Sequence, residues 1–208
     1  RACSGNLEMV KWLIRCGQAT RSPIDIHIDE EEPFRTACRN DCLPVAQWLV
    51  QYANDIGSPI DIHANGEDAF LWGNARLCRW VTDYANAIGS PIDIHCLNEF
   101  KFCKWISRGD IEASQWLLDY AESIKSPIAL DVVVGEHYQT PFVECCKNGK
   151  LEAVQWLLQR ATERGATIDI HYGEELGFIQ ACQRGYLTLA KWLSRYAGEI
   201  KSPIDIRS

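Results

Sequence analysis

The hexapeptide Ser58-Pro59-Ile60-Asp61-Ile62-His63 constrains this chain more than any other stretch, because it recurs. It stands again at Ser22 to His27 and Ser90 to His95, and in altered form at Ser126 to Asp131, Ala166 to His171 and Ser202 to Arg207. Its first isoleucine falls at positions 24, 60, 92, 128, 168 and 204, and a tryptophan falls at 12, 48, 80, 116, 156 and 192. Both series step by 36, 32, 36, 40 and 36 residues. Two markers that share the same irregularities mean one duplicated unit with insertions and deletions. A unit this short cannot bury a core alone, so successive copies must stack as a solenoid. The expected organisation is a single array over 1–208, with units at about 1–27, 28–63, 64–95, 96–131, 132–171 and 172–208, the first incomplete.

Within the second copy, Glu31-Glu32-Pro33-Phe34 marks the start of a first helix, with proline at a position that lacks an intrahelical N–H partner anyway and carboxylates at the positive end of the dipole. Phe34, Ala37 and Cys38 form its apolar stripe. Asn40-Asp41 makes a turn, and a second helix carries Leu43, Ala46, Leu49 and Val50 inward with Trp48 beside them. Gly57 and Pro59 stop it. Ile60-Asp61-Ile62-His63 alternates apolar and polar, the pattern of a short extended segment. The expected class is an all-α repeat solenoid of helix-turn-helix units joined by short extended or β-hairpin fingers.

Three copies depart from this scheme. In the first, Ala2-Cys3-Ser4-Gly5-Asn6-Leu7 matches the end of the first helix and a turn one residue shorter, so the front of that unit is missing. The third copy is four residues short, about one helical turn, which predicts a truncated helix around Leu71-Trp72-Gly73. Trp105 replaces a small residue in the fourth copy and is expected to fill the space so left. The fifth copy has a longer, more apolar finger over Val132 to Tyr138.

Thr140-Pro141-Phe142, the Asn148-Gly149 turn, then Leu151, Val154 and the pair Leu157-Leu158, resemble an ankyrin repeat. Arg164-Gly165-Ala166 followed by Ile168-Asp169-Ile170 resembles that family's step into its finger. The resemblance extends over essentially the whole chain. The usual period of about 33 residues is exceeded, and Arg35, Val143 or Ile179 stands where the family carries a histidine. The Ile-Asp-Ile-His phrase is similar to the expanded ankyrin families of giant DNA viruses. What the resemblance implies is non-catalytic protein–protein binding through fingers and concave surface, without a cofactor; the alternative is the substrate-recruiting adaptor portion of a larger multidomain protein, such as a ubiquitin-ligase adaptor.

Composition narrows the partner. A formal net charge of −7 disfavours nucleic acid, and no apolar run is long enough for a membrane span. The ten cysteines contain no C-x-x-C pair; Cys3, Cys38, Cys146 and Cys182 share one repeat position and read as small packed hydrophobes. Reduced thiols place the chain in a cytoplasmic, reducing compartment, the host cytoplasm if it is viral. A nucleophilic thiol at Cys145 or Cys78 would need a base that no motif supplies.

The ladder His27, His63, His95 and His171 invites a metal reading, but repeat rungs about 8–10 Å apart cannot converge on one ion. The histidines are read as bonding a neighbouring finger's backbone or Asp side chain. The recurring aspartates are read as turn-forming, and the tryptophans as packing residues. Residues that escape the pattern carry the partner information. The finger tips are acidic, which favours a protein with a basic surface. Candidate contacts are Glu31, Glu67, Asp68, Trp72, Phe100, Lys101, Lys104, Glu136, Tyr138 and Glu174, on a chain expected to be a monomer.

Overall fold

The structure, a computed structural model, describes residues 2–134 and 139–205, with side chains from residue 7 onward. Those residues form helices joined by turns and extended stretches; the strand-like pairing among them is one antiparallel bridge between Val134 and Gln139. The chain divides into two compact units, residues 1–93 and 94–208.

In the first unit, α2 (Ile28–Arg39) pairs with α3 (Leu43–Asp55) and α4 (Ala64–Trp72) pairs with α5 (Ala75–Ala87), while α1 (Ala2–Ala19) packs on α3. Phe34, Cys38, Ala46, Phe70, Leu77, Cys78 and Val81 are fully buried. In the second unit the pairs are α6 (Cys96–Arg108) with α7 (Ile111–Ser123), α8 (Pro141–Lys147) with α9 (Leu151–Glu163), and α10 (Tyr172–Gln183) with α11 (Leu187–Glu199). The first helices of these pairs lie side by side, α6 on α8 and α8 on α10. The helix-turn-helix repeat read from the sequence is therefore present. The apolar members of the recurring phrase are its buried side, as alternation requires: Ile60 and Ile62 are buried and Asp61 is exposed.

α4 ends at Trp72, as the deletion predicts, with Gly73 extended behind it. A Cβ on Gly73 would stand 2.7 Å from the Leu77 side chain and 2.9 Å from the Ala69 carbonyl oxygen, so the shortened turn closes only around glycine. Trp105 is buried, edge-on to Trp116 at 6.1 Å between centroids, with the Lys101 ammonium 4.5 Å from its own ring centroid.

Three expectations need correction. The turn foreseen at Gly5-Asn6 is absent, and α1 runs unbroken. Elsewhere a left-handed residue plus one more make that turn, as in Gly109-Asp110 and Gly149-Lys150, and the first copy is one residue short of them. Cys182 is exposed, because no further pair covers α10 among the described residues.

The third correction concerns the fingers. Hairpin-like geometry occurs only in the fifth copy, at Val134 and Gln139, among the described residues. In four others the extended phrase runs into a left-handed turn: Asp29-Glu30-Glu31, Asn65-Gly66-Glu67, Leu97-Asn98-Glu99 and Gly173-Glu174-Glu175 all have φ between 49° and 67°. Each closes by a backbone bond from its glutamate N–H to the histidine carbonyl four residues earlier, for example Glu67 to His63 at 3.2 Å. In the first of these turns Arg35 holds the carbonyls of Glu30 and Asp29 at 2.6 and 2.7 Å. α8 starts differently, with Thr140 Oγ1 accepting from Val143 N–H and Pro141 in the first turn, the ordinary N-cap arrangement.

Left-handed backbone costs a non-glycine residue about 1–2 kcal/mol. Nothing lies within 4 Å of a Cβ built on Gly66, so Gly66→Ala tests the backbone alone. Chemical denaturation should show a loss of about 1 kcal/mol or more; unchanged stability would mean that the turn is not left-handed. Trp105→Ala, which empties a packed site, should cost roughly 3–5 kcal/mol, and an unaltered melting temperature would contradict its burial.

Candidate functional site

The edge of each unit where phrase meets turn has two sides. The inner side is a hydrogen-bonded latch. His63 Nδ1 lies 2.8 Å from Glu67 Oε1, and its Nε2 lies 2.8 Å from Ser90 Oγ in the next copy. The same Glu67 oxygen accepts from the backbone N–H of Asp93 at 3.0 Å. A carboxylate only accepts, so Nδ1 carries a proton; in the neutral imidazole Nε2 then accepts from the serine hydroxyl. The set repeats as His171, Glu175, Ser202 and the N–H of Asp205, at 2.8, 2.8 and 3.1 Å. His95 bonds Glu99 at 2.7 Å and Ser126 at 2.8 Å. His27 bonds Glu31 at 2.8 Å, and Glu31 accepts from the N–H of Asp61 at 3.1 Å.

The histidines thus use glutamate, and His63, His95 and His171 serine as well, where the sequence reading had neighbouring backbone or aspartate. Two spacings carried the signal: glutamate four residues after each of these histidines, and serine at the head of each following phrase. The aspartates do form turns, accepting from the histidine N–H two residues on: Asp25 at 2.8 Å, Asp61 and Asp169 at 2.9 Å.

The outer side is acidic. Asp25, Asp29, Glu30, Asp61 and Asp93 are exposed in the first unit, and Asp131, Asp169, Glu174 and Asp205 in the second. Several residues proposed for this surface from sequence lie elsewhere. Glu31 and Glu67 are buried in the latch, because the left-handed turn rotates its third residue inward. Asp68 is buried between Arg35 Nη1 at 3.2 Å and Arg39 Nη2 at 2.6 Å. Lys101 is fully buried against Trp105. Glu174 and Trp72 are exposed; Phe100 and Lys104 are half-buried, with the Lys104 ammonium 5.8 Å from the Phe100 ring centroid. Glu136 and Tyr138, with the tip of the fifth finger, lie outside the described residues.

Beside Asp68, Glu32 is held below the usual carboxylate range: the Thr36 hydroxyl, which donates at 2.7 Å, together with Arg39 and Arg35 outweighs partial desolvation. On the second helices Trp48, Trp80, Trp116 and Trp192 each stack on the tyrosine four residues later, for example Trp48 on Tyr52 at 5.1 Å and Trp192 on Tyr196 at 5.0 Å, while Trp156 lies under the Arg160 guanidinium at 5.7 Å. The sequence reading gave the tryptophans a packing role but missed these partners.

The buried thiols are poor nucleophiles. Burial pushes Cys103 and Cys146 up to about 12 and Cys145 well above the ordinary thiol range. Cys145 Sγ donates to the Ile106 carbonyl at 3.4 Å and Cys78 Sγ to the Phe70 carbonyl at 3.1 Å. A thiol held protonated in a core does not attack substrate.

Removing the latch acceptor leaves buried donors unpaired. Glu67→Ala should destabilise the first unit by about 1–3 kcal/mol. In a double-mutant cycle with His63→Ala the two losses should fall short of additive, as for a shared interaction; full additivity would show that the pair does not act together.

Residues 137–170 match the model of the ankyrin repeat family. No curated protein matches the chain. Among solved structures, the ankyrin repeat domain of Bcl-3, a member of the IkappaB protein family, superposes with a TM-score of 0.51 at 18% identity, covering 80% of this chain and 86% of that one. Residues 137–170 are thus similar to an ankyrin repeat, and the chain has the ankyrin-repeat fold over the 80% that superposes.

Proposed function

We propose that this chain is a non-catalytic protein-interaction module that recruits a partner with a basic surface through the outer edge of its turns. The observation that carries the reading is the division of labour at that edge. One carboxylate of each latched turn is used internally to join copies, while Asp25, Asp29, Glu30 and Asp61 in one unit, and Asp131, Asp169 and Glu174 in the other, remain exposed. Repeated exposed charge of one sign, carried on a stacked scaffold, steers and orients an oppositely charged partner. The ankyrin-repeat fold supports the interaction role, and the deep burial of the candidate thiols supports the absence of covalent chemistry. Recruitment of a target for a larger assembly is the adaptor form of the same reading and uses the same surface. Trp72 and Phe100 are aromatic contacts available to the partner, Trp72 being 46% exposed.

The test is capture from lysate with the intact chain beside two variants. Asp29→Lys/Glu30→Lys/Glu174→Lys reverses exposed charges; Trp72→Ala removes an aromatic. A protein retained by the intact chain should be lost with the charge-reversed variant, and its binding should weaken steeply with added salt. Equal retention by a folded charge-reversed variant would refute the acidic-edge reading.

A further inference from the structure

Every junction between successive copies from the second onward can be checked for its latch, and one lacks all three side chains. Aligned on the phrase, Asp131 stands where His27, His63, His95 and His171 stand. Aligned on the following phenylalanine, Gln139 stands where Glu31, Glu67, Glu99 and Glu175 stand. Ala166 replaces the serine found at 58, 90, 126 and 202. Gln139 is held away from the latch position, its backbone bridged to Val134 and its Oε1 accepting from Lys147 at 3.4 Å. Where the imidazole and carboxylate sit at the other junctions, this one has a cavity of about 330 Å3 lined by Asp131, Thr140, Thr167, Ile168, Asp169 and Tyr172.

The lining has a definite chemistry. Among the described residues it contains two carboxylates and three hydroxyl-bearing side chains, and no basic residue. Asp131 and Asp169 are exposed; Asp169 Oδ1 already accepts from the His171 N–H at 2.9 Å. Thr140 is buried and oriented by its cap bond to Val143. At the latched junctions this space holds a planar ring whose nitrogens meet a carboxylate on one side and a hydroxyl on the other. Here the glutamate and serine are gone and the acceptors are the carboxylates and hydroxyls of the lining, a set suited to a guanidinium, whose planar fork of donors meets carboxylate and hydroxyl acceptors together.

We infer that this cavity is a seat for the arginine side chain of a protein partner, entering where the missing histidine and glutamate would lie. The inference rests on the basic-partner reading and gives it a location.

The test uses the full chain labelled with 15N and three probes: Nα-acetyl-arginine N-methylamide, its neutral citrulline counterpart and free arginine. The capped arginine should move the amide signals of Thr140, Thr167, Asp169 and Tyr172 saturably. Loss of the charge should weaken binding about tenfold, both for the citrulline probe and for the Asp131→Asn variant. Equal binding of citrulline, or an unaltered affinity in Asp131→Asn, would overturn the assignment. Binding of free arginine alone would make this a small-molecule site and overturn the partner assignment. Shifts confined to Asp25, Asp61 and their neighbours would remove the seat and leave the basic-partner reading in place. Loss of lysate capture with the charge-reversed variant, alongside no response to any probe, would separate the two readings in the same way.

Discussion

A carboxylate withdrawn from water must have its hydrogen bonds supplied by the protein, and this demand organises the latched junctions. Glu67 is buried at the end of a left-handed turn, where it meets an imidazole N–H and the backbone N–H of Asp93. The cost of burying charge is offset only while both donors stay in place. The donors come from different copies, so the glutamate fixes the distance between them as well as its own position. The strained backbone of the turn follows from the same demand. A right-handed continuation from His63 would start the helix early, and three left-handed residues instead bring the fourth residue after the histidine back beneath its ring.

That arrangement separates what must stay constant from what is free to differ. The inner face of each latched turn is committed to glutamate, histidine and buried isoleucine. Its outer face is held at a fixed repeat spacing with side chains exposed to solvent, as with Asp29, Glu30 and Glu174. The second helices contribute independently, through tryptophan–tyrosine stacks and hydrogen bonds such as Asn54 to the Tyr84 hydroxyl at 3.2 Å. The stacks lie within single helices and fix the tyrosines that take part in these bonds, so in the first unit copies are tied by second-helix hydrogen bonds as well as by the latch.

Periodicity made the helices legible, because a stripe such as Phe34, Ala37 and Cys38 reports which side of a helix is buried. The four-residue deletion likewise reported the shortened α4. The sign of φ leaves a weaker trace. Gly66 and Gly173 mark the left-handed turn in two copies, but Asp, Glu, Leu and Asn occupy it in the others, and acidic residues there read naturally as solvated tips. Glu31 and Glu67 were misplaced for that reason. Asp68 was misplaced for another: its partners Arg35 and Arg39 are 33 and 29 residues away, beyond the reach of any local pattern. The acidic outer edge was legible as a property of the tips, although the residues that compose it only partly coincide with those chosen.

The fourth junction shows that the latch is a module that can be given up. Histidine, glutamate and serine are all replaced there, by Asp131, Gln139 and Ala166, and no partial latch remains. Joint loss is what the energetics require. A buried glutamate without its imidazole, or an imidazole without its carboxylate, would be left unsatisfied, whereas removing the whole set leaves no orphan. The core beneath the gap is kept, with Ile128, Leu130, Phe142 and Ile170 still buried. In a repeat array stability approximates a sum of unit and neighbour terms, so one junction can forgo these bonds while its neighbours hold. The junction without the latch is therefore the one at which the proposed arginine of a partner would take a space that the chain's own side chains fill elsewhere.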